Sequence, residues 1–244
     1  MSEQTPTEAA IAAENGKSKS SSYGFNDTSP THILCDWISY ISLSDIPNDL
    51  LTRAKYVLLD GIACALTGAA LSASEVATRA ISLMEAGGTG TCSVIGHPDM
   101  KLSPTSAALI NSTYIQGFEL DDWHKDAPLH SNAILIPALL AAAQLKTASS
   151  VSAQRVTGPD FLLGLITGYE VGPRVGNALY GRHILSEGWH SGAVFGPSAA
   201  AAAVSKIFHL QPEAVEDALG IACNQACGLM SVQFESDVKR MAHG

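Results

Sequence analysis

The segment ELDDWHKDAPLHS, residues 119–131, gathers Glu119, Asp121, Asp122, His124, Lys125, Asp126 and His130 into one short stretch between two apolar runs. Side chains of these types can move a proton near neutral pH, hold a carboxylate or ligate a cation. His130 stands just ahead of an apolar helical pattern with Ser131 as the expected cap. The backbone N–H groups and dipole of that helix would favour an anion there. An imidazole beside a bound carboxylate stays protonated. Two plainer readings compete. The charges could form a solvated loop whose ion pairs contribute little. Alternatively, Asp121, Asp122, His124 and His130 could ligate a metal, although no standard ligand spacing is matched.

A second candidate lies in SEGWHSGAVFGPSAAAAA, where Gly188 and Gly192 flank His190 ahead of an alanine-rich helix. Glycine on both sides lets a ligand approach the backbone closely, while a satisfied histidine near a helix cap is the equal alternative. Glu170 and Arg174, four apart in an otherwise apolar segment, read as a structural ion pair. Lys239, Arg240 and His243 make the last residues cationic; taken alone they are an ordinary basic patch. The glycine-rich nucleotide fingerprints and the Gly-x-Ser-x-Gly elbow are missing, so nucleotide binding and serine hydrolysis lose their usual support.

The elements that must position these residues are nearly all helical in their apolar spacing from about residue 30 onward. Ser29 and Thr31 are candidate caps of a first helix with Ile33, Trp37, Ile38 and Ile41 on one stripe. A second helix carries Leu50, Leu51, Ala54, Val57, Leu58, Ile62 and Leu66 at spacings of three and four and ends near Gly68. SASEVATRAISLMEAGG has a Ser-x-x-Glu-like opening. Further helices are expected near 103–121, 131–147, 158–180, 191–208 and 211–229. TCSVIG is the only convincing strand, and it is too short to found a sheet. No internal repeat is apparent. The expectation is an all-α fold in which the Ala- and Gly-rich helices are central, because small residues let helix axes approach.

Composition narrows the partners. The chain has 244 residues, 46% apolar and 15% charged, with net charge −9. Neither a clustered positive face for nucleic acid nor an uninterrupted membrane span is present. An anionic substrate would be held by a few local cations. Cys35, Cys64, Cys92, Cys223 and Cys227 are odd in number and scattered, which argues against a disulfide framework and for a reducing compartment. Cys223 and Cys227 read as buried core thiols. Residues 1–25, poor in large apolar side chains and without a hydrophobic leader, are expected to be a disordered tail, with 26–244 the helical domain. The cytosol is the default location and the mitochondrion the alternative.

The succession RAKYVLLDGIACALTGA, GFELDDWHKDAPLHSNAILIPALLAAA, GYEVGPRVGNALYG, GWHSGAVFG and EDALGIACNQACGLMS…VKRMAHG resembles the MmgE/PrpD family. The likeness runs from about residue 30 to the last residue, and within the family it is greatest to the fungal itaconate-forming decarboxylases of cis-aconitate. It implies a homodimer whose subunit has a large helical domain and a smaller α+β lid. This chain matches the first part of the helical domain, so the expectation is a truncated one with the lid absent. The resemblance implies catalytic roles for Glu119, His130, His190 and Lys239, and substrate contacts from Asp122, Trp123, His124 and Arg240. Trp123 stands where animal members carry threonine, and the loop here is one residue longer. The implied substrate is a small tricarboxylate. Decarboxylation would need no metal, pyridoxal or nicotinamide, because the substrate's own alkene and carboxylate serve as the electron sink. The family also contains 2-methylcitrate dehydratases, an alternative use of the same cations. An inactive, dimerising helical segment is the alternative of a different class.

Overall fold

Ser-Pro and Thr-Gly-Pro pairs mark several helix starts, because a hydroxyl can accept from the first free N–H groups while proline presets the first helical φ. In the computed structural model, which describes residues 29–85, 90–149 and 155–234, those marks hold. Ser29 accepts from His32 N–H at 3.1 Å and opens α1 (Pro30–Tyr40). Ser103 opens α4 (Pro104–Ile115). Thr157 and Asp160 form a reciprocal capping box at the start of α6 (Gly158–Ala178). The other helices are α2 (Asn48–Gly68), α3 (Ser72–Met84), α5 (Ser131–Ala148), α7 (Ser191–Phe208) and α8 (Pro212–Gln225). The described residues are therefore all-α apart from one antiparallel ribbon, β1 (Cys92–Val94) with β2 (His97–Leu102). The expected tail at 1–25, Lys239 and Arg240 lie outside the described residues. No single described helix is long and apolar enough to cross a membrane.

The alanine-rich helices α5 and α7 are central, with most of their first three turns buried. What lets them pack so closely to α6 is a row of glycines on that helix, one per turn. A Cβ on Gly164 would meet Leu139, on Gly168 Leu135, on Gly172 Leu129 and on Gly176 Ala127, each within 2.3–2.8 Å. Thus one glycine ridge seats four successive side chains running back from α5 into the polar loop that precedes it. A second, smaller cluster of Cys35, Ile38, Val171, Ala202, Val215 and Leu219 joins α1 and α8 to the far sides of α6 and α7.

Several expectations need correction. Helix α4 stops at Ile115, not near Asp122. Gly117 is wedged against the Leu71 side chain and the Tyr114 carbonyl, and Glu119 adopts φ 61°, a left-handed conformation that no α-helix continues through. Helix α8 ends at Gln225, and the residues after it turn back so that Leu229 bridges to Trp189 just ahead of α7. Helix α3 opens without a side-chain cap, since Leu71 and not Ser72 is the N-cap. Strand β2 was hidden because HPDMKL contains a proline and does not alternate; it pairs through a turn in which Gly96 has φ 81°. Ile33, Leu50 and Leu66 are exposed and fall off the expected stripes, while Trp37, Ile38, Leu51, Ala54, Leu58 and Ile62 of the same stripes do pack on the core. Cys223 and Cys227 are exposed, not core thiols, while Cys35, Cys64 and Cys92 are buried.

There is also a short repeat. His130, Ser131, Ala133, Pro137, Ala141, Ala142, Ala143 and Lys146 recur at one constant offset as His190, Ser191, Ala193, Pro197, Ala201, Ala202, Ala203 and Lys206. The two helices have the same length, 18 residues, and each has histidine as its N-cap. Like ends lie together: Ile134 fills the space over Gly196 near the starts, and Lys146 Nζ donates to the Ile207 carbonyl at 2.6 Å near the ends.

Gly172→Ala should lower stability by about 1–3 kcal/mol, because its Cβ would meet Leu129 at 2.7 Å and Ala199 at 2.9 Å in a packed interior. Gly158→Ala, whose Cβ meets nothing within 4 Å, should cost nothing. Chemical denaturation of the two variants beside the parent measures the contrast.

Candidate active site

The polar loop is neither wholly solvated nor loosely held. Ala127, Pro128 and Leu129 are buried, with Ala127 and Leu129 seated over Gly176 and Gly172 of α6. The Asp126 carbonyl accepts from Arg182 N–H at 3.0 Å, which ties the loop to the 3-10 turn Gly181–Leu185. Its tip is solvent-like: Lys125 and Asp126 pair at 2.8 Å with both side chains mostly exposed. His124 Nδ1 accepts from Ala127 N–H at 3.1 Å, so this imidazole braces the turn. Trp123 is exposed at the rim.

The acids divide by direction. Asp121 has a fully buried side chain with Oδ1 3.2 Å from His130 Nδ1, while Glu119 Oε2 lies 4.0 Å from His130 Nε2. Asp122 turns the other way and accepts from the N–H groups of Ser131 at 3.2 Å and Asn132 at 2.7 Å. The anion at this helix N-terminus is therefore the chain's own carboxylate, and the cap is supplied by Asp122 with His130 as the N-cap residue in place of Ser131. Asp122 thus sits against the helix start.

Electrostatics follow from this arrangement. Burial is the largest single influence on His130 and favours the neutral ring. The 3.2 Å contact with Asp121 and the charges of Asp121, Glu119 and Asp122 together outweigh it, so His130 titrates above its ordinary value. Asp122 is pushed up to about 6: burial comes first, the Asn132 N–H opposes it, and the Asp121 charge adds to it. Burial, and then the charge of Asp122, also raises Tyr169.

His190 is buried at the start of α7, its N–H donating to the Gly228 carbonyl at 3.0 Å. Trp189 bridges to Leu229, and Met230 N–H donates to the Gly188 carbonyl at 2.8 Å. The segment after α8 therefore locks the histidine's backbone. Because α5 and α7 lie like end to like end, His130 and His190 mark the same end of a helix pair. A cavity of about 390 Å³ opens between their first turns, lined by Ala133, Ile134, Gly192, Ala193, Ser112 and Cys227 among others. Neither imidazole lines it. Glu170 and Arg174 do pair, at 2.8 Å, but on the surface. Among the described residues no three His, Cys, Asp or Glu side chains converge to hold a metal ion. The directions of Asp122 and His124 explain this for the loop.

The sequence marks Asp121 as one of the loop's acids and a possible metal ligand, but not as the partner of His130, and it gives no role to Asn132 or Tyr169. The signal available for the last two was a lone amide and a lone phenol inside apolar helical stripes. For the pairing of Asp121 there was none, since adjacent acids look alike until their directions are known.

The profile of the MmgE/PrpD N-terminal domain matches residues 32–244. The chain belongs to the MmgE/PrpD family. It is 51% identical over 210 residues to a cis-aconitate decarboxylase-like protein, oryM, of Aspergillus oryzae, covering 86% of this chain and 43% of that protein. It is 48% identical over 214 residues to cis-aconitate decarboxylase of Aspergillus terreus, covering 88% and 42%. To the human protein named cis-aconitate decarboxylase it is 27% identical over 187 residues, covering 76% and 37%. The chain thus spans about two fifths of the length of these fungal relatives.

The two raised groups predict how stability depends on pH. Asp122 binds its proton more tightly folded than unfolded, so its contribution is lost as pH rises from about 4 to about 6. His130 is also raised, so its contribution is complete below the unfolded value of about 6.5 and is lost as pH rises through the folded one. Relative to Asp122→Asn, the parent should lose stability across the first window, as read by denaturant midpoints at a series of pH values.

Proposed function

We propose that the protein is a cis-aconitate decarboxylase that forms itaconate, with His130 as the proton donor. The observation that carries this reading is the pairing of His130 Nδ1 with the buried Asp121 carboxylate at 3.2 Å. The names of the fungal relatives support the substrate. In this reaction the bond from C5 to its carboxylate breaks and CO2 departs. The electron pair moves through the neighbouring double bond onto the conjugated carboxylate, and one proton returns to carbon. An imidazole that holds its proton more tightly than usual can supply that proton, and Asp121 can then stabilise the ring as it is recharged.

His190, Lys239 and Arg240 complete the reading as the cations that hold the substrate's carboxylates. Glu119, near the outer nitrogen of His130, orients the ring towards substrate. Trp123 and His124 form the rim on the loop side. The alkene and its carboxylate take up the electrons, so the proposed step calls for no cofactor. The working unit in this reading is a homodimer, as the family resemblance implies.

The test is incubation of the full polypeptide with cis-aconitate and, separately, with 2-methylcitrate. Itaconate and one equivalent of CO2 are expected from the first. His130→Ala should reduce that turnover by about 10²–10⁴-fold. Formation of 2-methylaconitate without itaconate would replace this reading with a dehydratase, and parent-like turnover by His130→Ala would remove the assigned donor.

A further inference from the structure

The residues on either side of His130 are both anchored to one face of α6. Leu129, just before it, sits in the notch over Gly172. Asn132, two residues after it, is fully buried and joins three helices through its side-chain amide. Its Nδ2 donates to the Val57 carbonyl of α2 at 3.0 Å, and its Oδ1 accepts from the Tyr169 hydroxyl of α6 at 2.8 Å. Val57's carbonyl can only accept, so the amide orientation is determined and Tyr169 must be the donor. Gly61 of α2 leaves the room this amide needs, since a Cβ there would meet Asn132 Cγ at 2.8 Å. The Asn132 backbone N–H meanwhile donates to Asp122 at 2.7 Å. Tyr169 and Gly172 are three residues apart on α6, so one helical face grips the chain both before and after the imidazole.

We propose that Tyr169 is a positioning residue: by holding the Asn132 amide it fixes the first turn of α5, and with it keeps the His130 ring on Asp121. The proposal takes its interest from the proton-donor reading of His130, but it concerns where the ring sits and not what it does to substrate. A partly buried hydroxyl would otherwise only complete a hydrogen bond. Here the bond lies at the one point where α2, α5 and α6 all meet the residue next but one to the histidine.

The consequence is electrostatic. His130 is faced by Asp121 and Glu119 from its own loop and by Asp122 at the start of α5; the Tyr169 hydroxyl of α6 in turn interacts with Asp122, and the Asp60 charge of α2 acts on Tyr169. If the first turn of α5 relaxes, the ring moves from Asp121 while remaining partly buried. Burial, which favours the neutral ring, then prevails, and the histidine titrates lower.

The experiment is an NMR titration of the histidine ring protons in the substrate-free chain, comparing the parent with Tyr169→Phe. The His130 midpoint should fall by about half a pH unit or more in the variant. Thr167→Val is the control: it removes a buried hydroxyl from the same helix, one bonded only to the Leu163 carbonyl, and should leave the midpoint where it is. Should Tyr169→Phe not fold, Asn132→Ser, which keeps the backbone N–H and removes the bridging amide, is read in the same way. An unchanged midpoint, or equal shifts in Tyr169→Phe and Thr167→Val, overturns the positioning role. Because no substrate is present, the result stands apart from whether the protein decarboxylates anything.

Discussion

Four glycines at one-turn intervals along α6 set the distance between that helix and its neighbours, and the polar loop depends on that distance. With no side chains in the way, Leu139, Leu135, Leu129 and Ala127 each settle against the helix backbone. Two of the four belong to α5 and two to the loop before it. The same contact that packs the core therefore fixes the register of the loop, and a loop in fixed register can present Asp121 and His130 at a defined separation. A wider spacing would cost the apolar contact and loosen the acids together.

On this frame the acids of one short stretch take different roles because they face different surroundings. Asp121 is inside and meets an imidazole, whereas Asp122 is turned onto two backbone N–H groups and serves the helix. Asp126 reaches water, where its partner Lys125 holds it only weakly. Three carboxylates within six residues thus divide into a buried partner, a cap and a solvated charge, and it is direction that decides among them.

The repetition of the His-Ser-x-Ala and Pro pattern in α5 and α7 gives the central pair a common plan, with histidine at each start and lysine in each last turn. Both lysines end on carbonyls: Lys146 on Ile207, and Lys206 on Ser39 and Ile41 at 2.9 Å. An ammonium among carbonyls satisfies the groups that helix ends leave open. Burial also lowers the Lys206 pKa, which is the expected direction for a cation taken from water. The two starts differ. The start of α5 is closed by Asp122, while among the described residues α7 is held at its start by main-chain bonds to the residues after α8.

Much of the scaffold was legible in the sequence, since periodicity and Ser/Thr-Pro starts are local: the helical class, most helix positions and the central place of the alanine-rich segments follow from residues near one another. The polar segment and both N-cap histidines could also be singled out, because charge is conspicuous in an apolar chain. Left to the tertiary structure were the early end of α4, the second strand, the exposure of Cys223 and Cys227, and the directions of the adjacent acids. Each of those depends on what a residue meets across the fold. Asp121 and Asp122 are chemically the same and adjacent in the chain, and only the packing of the loop on α6 gives one of them the imidazole and the other the helix.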